Sequence, residues 1–213
     1  QAHFGALIPS DDIVTKEEKK TITLDLKFLH PLEGHYMNLE KSNKFGVRYK
    51  GKNIDLTESL KESMGRGGDQ KESFMTWKAE YNLKMPGVYQ FYMEPKPYWE
   101  ATEDKFIIHY TKVVITAFGG EEGWDEPVGL ETEIIPLTRP FGLWKGNIFT
   151  GRVLLNGKPV SGAGVEVEFL NETPGIKSKI KPPSDPYVTQ LIKADTDGVF
   201  SYAMPKAGWW GFA

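Results

Sequence analysis

The chain has 213 residues, no cysteine and a formal net charge of -3, with 26 Lys and Arg set against 29 Asp and Glu. That balance offers no basic excess for a nucleic-acid surface, and the missing thiols remove disulfides, thiolate metal sites and cysteine nucleophiles together. The length suits one large all-β domain or two ordinary domains, and the preferred reading is two.

No apolar run approaches a bilayer span and no charged-then-apolar leader is present, so the chain reads as a soluble fragment or a mature chain. It opens QAHFG. The amine of Gln1, the amide nitrogens that follow through Ala2, and the imidazole of His3 can wrap a square-planar ion such as Ni(II) or Cu(II). Cyclisation of Gln1 would remove the amine. The KEEKK run at Lys16 to Lys20 mixes both signs and reads as a solvated turn.

The first clear strand is TITLDLKFLH, Thr21 to His30, where β-branched and aromatic residues alternate with polar ones until Pro31. It delivers His30 to a strand end. KFGVRYKGKNIDL predicts two short strands joined around Lys50 to Lys52, with Gly51 supplying the turn. The polar stretch Thr57 to Glu72, with Gly65, Gly67 and Gly68, is expected to be a loop preceded by one helical turn. SFMTWKAEYNL, MPGVYQFYMEP and DKFIIHYTKVVITAF predict three more strands, the first two divided by Pro86 and Gly87.

Gly119 to Gly146 is rich in Gly, Pro and acidic residues and reads as a connector packed on the first unit through Trp124, Phe141 and Trp144. Beyond it, Asn156 and Gly157, then Ser161 to Gly164, mark turns between strands. DTDG is a further tight turn, since Asp195 and Asp197 fall short of a full calcium loop. The apolar ending WWGFA belongs in a strand, so the natural chain is expected to continue. The fold class expected is all-β, as two β-sandwich domains at 1–145 and 146–213.

Enzyme signatures are missing. No HExxH, phosphate loop, dinucleotide fingerprint or nucleophile elbow occurs, and Glu121 and Glu122 are adjacent rather than convergent. A non-enzymatic protein is expected. The candidate metal ligands are His3, His30, His35 and His109, with Glu33 of the HPLEGH loop as an added oxygen donor. His109 in FIIHYTK is expected on a strand face with Ile107 and Thr111. Met37 could add a thioether or simply fill the core. The aromatics of PYWE, Tyr98 and Trp99, with Tyr92 and Trp124, offer the alternative of a sugar-binding face or plain packing.

The stretches AHFG with LIPS, FLHP with Glu33 and Met37, PYWE with Glu103 and DKFIIHYTKV, EEGWDEPVGLETEIIPLTRP and AGWWGFA resemble a known family. It is the domain-of-unknown-function family 4198 (DUF4198) of periplasmic proteins, which includes accessory components encoded with nickel uptake transporters of the energy-coupling type. The resemblance covers nearly the whole chain. It implies a signal-peptide-processed protein of the periplasm or cell exterior that binds Ni(II) and assists delivery to such a transporter. By the same resemblance His3, His30 and His109 fall at family histidine positions, and His35 departs from the pattern.

The N-terminal unit is expected to be immunoglobulin-like. The C-terminal unit resembles transthyretin-like or carboxypeptidase-regulatory-like modules, an analogy of fold without mechanism. Cu(II), Co(II) and Zn(II) remain as alternative ions, periplasmic copper handling as an alternative role, and an extracellular interaction or carbohydrate-binding module as the competing class. Histidine ligation predicts weaker metal retention at pH 5 than at pH 7.5, because protons compete for the imidazoles.

Overall fold

A computed structural model describes residues 3–67, 69–172 and 180–213. Gln1, Ala2 and Gly68, named above as a terminal donor, a chelate residue and part of a glycine cluster, lie outside the described residues. The first part of the chain forms β1 (Phe4–Pro9), β2 (Ile13–Val14), β3 (Thr21–His30), β4 (His35–Met37), β5 (Lys44–Tyr49) and β6 (Lys52–Asp55), followed by β7 (Lys61–Gly65), β8 (Phe74–Asn82), β9 (Gly87–Glu94), β10 (Tyr98–Glu100), β11 (Lys105–Ile107) and β12 (Thr111–Ala117). The rest forms β13 (Thr132–Pro136), β14 (Ile148–Leu155), β15 (Lys158–Pro159), β16 (Gly164–Phe169), β17 (Gln190–Lys193), β18 (Val199–Ala203) and β19 (Trp210–Phe212). Among the described residues no helix is long and apolar enough to cross a membrane.

These strands make four main sheets and one small hairpin. The first sheet runs β1-β3-β8-β7 with β4 on β3, and the second runs β2-β12-β9-β5-β6. The third is β13-β14-β15 with β18 on β14, the fourth is β17-β16-β19, and β10 pairs only with β11. The expected pair of β-sandwiches, one immunoglobulin-like and one of the transthyretin or carboxypeptidase-regulatory kind, is therefore corrected: the four sheets make the architecture a four-bladed β-propeller. Its blades are not meanders of consecutive strands, because the chain passes back and forth between the first two before either is complete. Alternation along a strand reports which face is buried and carries no information on which distant strand will pair with it.

β3 shows the local logic. Ile22, Leu24, Leu26 and Phe28 point into a core shared by the first two sheets, where they meet Phe45, Val47, Phe91, Met93 and Ile115. Thr21, Thr23, Asp25 and Lys27 take the other face, as a two-residue period requires. Leu29 breaks the alternation and is still buried, because Leu170 and Trp209 from later in the chain cover that end of the outer face. A second core joins the third and fourth sheets through Phe149, Val153, Val165, Val167 and Phe200.

Three local readings change. The polar stretch from Thr57 to Glu72 does contain a helical turn at Thr57–Ser59, but it also contains β7, whose few apolar side chains suit an edge strand hydrogen-bonded to β8. DKFIIHYTKVVITAF is two strands rather than one, interrupted at residues 108–110. Within the stretch read as a connector, Thr132–Pro136 pairs with β14, and Trp124 packs beside the buried Phe141 while Trp144 is exposed. The turn at Lys50 and Gly51 forms as expected, with both residues at positive φ. In DTDG, Asp195 Oδ1 accepts the amides of Asp197 and Val199, the bonding of a tight turn.

Candidate metal centre

Strand order brings His3 and His30 together. Phe4 pairs with Leu29 at the end of the β1–β3 ladder, and His3 lies one residue beyond that pair, so its imidazole meets that of His30 at 4.4 Å between ring centroids. Phe28, two residues before His30 and therefore on the same face of β3, forms an apolar wall. Its ring lies 5.7 Å from His3 and 5.1 Å from His109. His109 occupies the irregular link between β11 and β12, not a strand face, which corrects the expected alternation with Ile107 and Thr111.

β1 passes close against that link. Thr111 Oγ1 lies 2.8 Å from the Gly5 carbonyl oxygen and 2.9 Å from that of His109, and its hydroxyl can donate to either. A Cβ at Gly5 would stand 3.0 Å from His109 Cβ and 3.1 Å from Thr111 Oγ1, so the absence of a side chain permits the approach.

The β10–β11 hairpin covers the group. Tyr98 and Glu100 are two apart on β10 and face inward: the Tyr98 ring lies 4.9 Å from Phe28 and 5.3 Å from His3. Glu100 is only 6% exposed, and its Oε2 stands 3.0 Å from His3 Nδ1. Its Oε1 accepts the Thr102 hydroxyl at 2.6 Å and the Thr102 amide at 3.0 Å. Trp99 must then face outward, where it meets Phe106 edge-on at 4.9 Å.

The electrostatics follow the burial. Desolvation, then the charge of His3, lowers His109 from 6.5 to about 4, so its imidazole is neutral at pH 7. Its Nε2 is buried with no hydrogen-bond partner among the described residues. His3 is also lowered, first by burial and then by the proximity of His30, with Glu100 opposing. Glu100 is held low by the hydroxyl and then the amide of Thr102.

The other sequence candidates lie elsewhere. His35 is the register partner of His30 across β3 and β4, but its Nε2 turns to Asp69 at 3.0 Å and 3.2 Å from the two carboxylate oxygens. Glu33 sits in the turn between those strands, on the side of Glu168; burial pushes the Glu168 carboxyl up, and Glu166 and Glu33 add smaller pushes the same way. Met37 stands opposite Phe28 and packs on the first core. The aromatics weighed for sugar binding do not gather: Tyr92 is buried, Tyr98 and Trp99 take opposite faces of one strand, and Trp124 packs near Val88, Val114 and Phe141.

Glu100 is the residue that sequence reasoning passed over, and Tyr98 was weighed there only for sugar binding or packing. The two-residue spacing in PYWE was the available signal, since it sends both to one face of a short strand.

His3, His30, His109 and Glu100 bring nitrogen and oxygen donors together, of the kind that suits Ni(II), Co(II), Zn(II) or Cu(II). The buried His109 Nε2, with no hydrogen-bond partner among the described residues, is a nitrogen donor whose chemistry fits a transition-metal ion. Among the described residues, however, no three His, Asp or Glu side chains already hold their donor atoms as a metal-binding set. Binding would require these imidazoles to reorient.

Fold and site together define a four-bladed all-β protein with a histidine and carboxylate group beneath a hairpin. The chain belongs to the DUF4198 family: the model for that domain of unknown function matches residues 1–213. A search of curated proteins found no match.

Proposed function

We propose that this protein binds a divalent transition-metal ion, Ni(II) foremost, in the periplasm or at the cell exterior, and assists its delivery to a membrane uptake transporter of the energy-coupling type. The role is binding and transfer, not catalysis. The observation that carries the metal reading is the buried, unpartnered Nε2 of His109 beside His3, His30 and Glu100. The delivery role and the location rest on the resemblance of the quoted motifs to nickel-transport accessory proteins.

His30 and His109 would hold the ion through neutral imidazole nitrogens, and His3 would join by exchanging its contact with Glu100. Phe28 and Tyr98 exclude water on one side, which strengthens charge and dipole interactions within the group. A bound ion would be the cargo.

Calorimetric titration with Ni(II), Cu(II), Co(II) and Zn(II) tests the reading on a chain with a verified amino end. One-to-one Ni(II) binding is expected, weakened by at least about 100-fold in His109→Ala and His30→Ala, since even outer-shell partners of a metal are worth 10–100-fold. Retention should be weaker at pH 5 than at pH 7.5. Failure of all four ions to bind would discard the proposal.

One observation favours a second reading. Trp99 and Phe106 are 46% and 67% exposed on the outer hairpin face, which would serve an interaction module. In that case Trp99→Ala, and no histidine variant, would abolish partner or sugar binding.

A further inference from the structure

We infer that Glu100, rather than the chain's amino end, supplies the anionic ligand of the histidine group and makes it selective for divalent ions over monovalent copper. The inference rests on the metal-binding reading above.

Glu100 is presented rather than left free to swing. Oε1 is committed to two donors of Thr102, which orients the carboxylate and leaves Oε2 directed at His3 Nδ1. Lys105, its register partner across the hairpin, pairs with Glu103 instead. Among the described residues, no lysine or arginine forms an ion pair with Glu100. The Glu100 carboxylate is 6% exposed and shares the inner face of β10 with Tyr98, whose ring lies 4.9 Å from that of Phe28. A divalent cation among these donors would balance the carboxylate charge and give the His109 nitrogen a partner. Carboxylate oxygen is a hard donor, suited to divalent ions, whereas Cu(I) prefers thiolate and thioether.

The alternative draws on the same atom. A chelate through the terminal amine and successive amide nitrogens closes its last ring through Nδ1 of a third-position imidazole, and Nδ1 of His3 is the atom that faces Glu100. Closing that chelate would break the contact between His3 and Glu100, and it would depend on a free amine where a Glu100-centred site would not.

Three forms of the full chain separate them by Ni(II) and Cu(I) titration: Glu100→Gln, Glu100→Ala, and wild type with one residue added before Gln1. Both substitutions are expected to weaken Ni(II) by at least about 100-fold while changing Cu(I) affinity by less than about threefold, and the extension is expected to change Ni(II) affinity by less than about threefold. Quenching of Trp99 fluorescence by bound Ni(II), one residue from the ligand, should fall in Glu100→Gln at equal metal concentration. Glu100→Gln keeps the side chain's shape, and an unchanged metal-free melting temperature checks its fold.

Wild-type binding that survives both substitutions unchanged overturns the role of Glu100 and leaves the metal reading standing. So does loss of binding on extension together with a diamagnetic, square-planar Ni(II) complex, which would assign the amino end. A wild type that binds none of the divalent ions removes the metal reading itself, and this inference with it.

Discussion

His109 carries the sharpest conflict between stability and proposed role. Its lowered pKa means that between about 4 and 6.5 the unfolded chain takes up a proton that the folded chain refuses. The penalty is absent above 6.5, grows as pH falls, and levels off below about 4. At pH 5 it amounts to about 2 kcal/mol. His109→Phe should remove that part of the acid sensitivity and match or exceed wild-type stability at pH 7.5, because an apolar ring beside Phe28 replaces an unsatisfied nitrogen that costs about 1–3 kcal/mol. Urea denaturation of the metal-free proteins at pH 7.5 and 5 checks this, and an equal acid loss in both would refute it. On the metal-binding proposal the same variant should also fail to bind Ni(II), a stability–function trade.

At the scale of elements, the site depends on how closely β1 approaches the link between β11 and β12. Gly5→Ala would press a methyl group on His109 Cβ, Met93 Cε and Thr111 Oγ1. Gly46→Ala, in β5, would meet Tyr92 and the Ile54 carbonyl at 2.7–2.8 Å, away from the histidines. Both should destabilise by about 1–3 kcal/mol as overpacking. Gly5→Ala alone should also weaken Ni(II) binding, so paired unfolding and titration curves would distinguish a packing error from a displaced ligand. Equal metal affinities in the two variants would contradict the coupling.

Much of this scale was legible in sequence. The alternation of TITLDLKFLH and the Lys50–Gly51 turn read correctly, since local pattern and turn chemistry act over a few residues. β7 was missed because KESMG has few apolar positions, and its strand state comes from hydrogen bonding to β8. His109 was placed on a strand that stops short of it. That interruption is set by the pairing of β11 with β10 on one side and of β12 with β9 on the other.

Across the whole molecule, buried polar contacts join the early sheets to the late ones. Lys112 of β12 and Glu133 of β13 form an ion pair with side chains 9% and 2% exposed, and Glu133 also accepts the amides of Val128 and Gly129. Lys112→Met would leave the glutamate buried and uncompensated. A loss of about 3–5 kcal/mol is expected by urea unfolding, against under about 1 kcal/mol for an exposed pair such as Lys96 with Glu40. Elsewhere Asn171 donates to the Leu32 carbonyl and Lys27 pairs with Glu172, so the turn that follows His30 is fastened by residues more than a hundred positions away.

The amino-acid sequence by itself determined an all-β protein with a near-neutral charge balance, strands with one buried face, and four histidines as candidate ligands. Those properties arise from composition and from the two-residue period, which neighbouring residues impose. Only the tertiary structure decided that four sheets form, that His3, His30 and His109 come together while His35 turns to Asp69, and that Glu100 closes the group. Each of those outcomes depends on pairing and burial between distant segments, where hydrogen-bond register and desolvation act across space rather than along the chain.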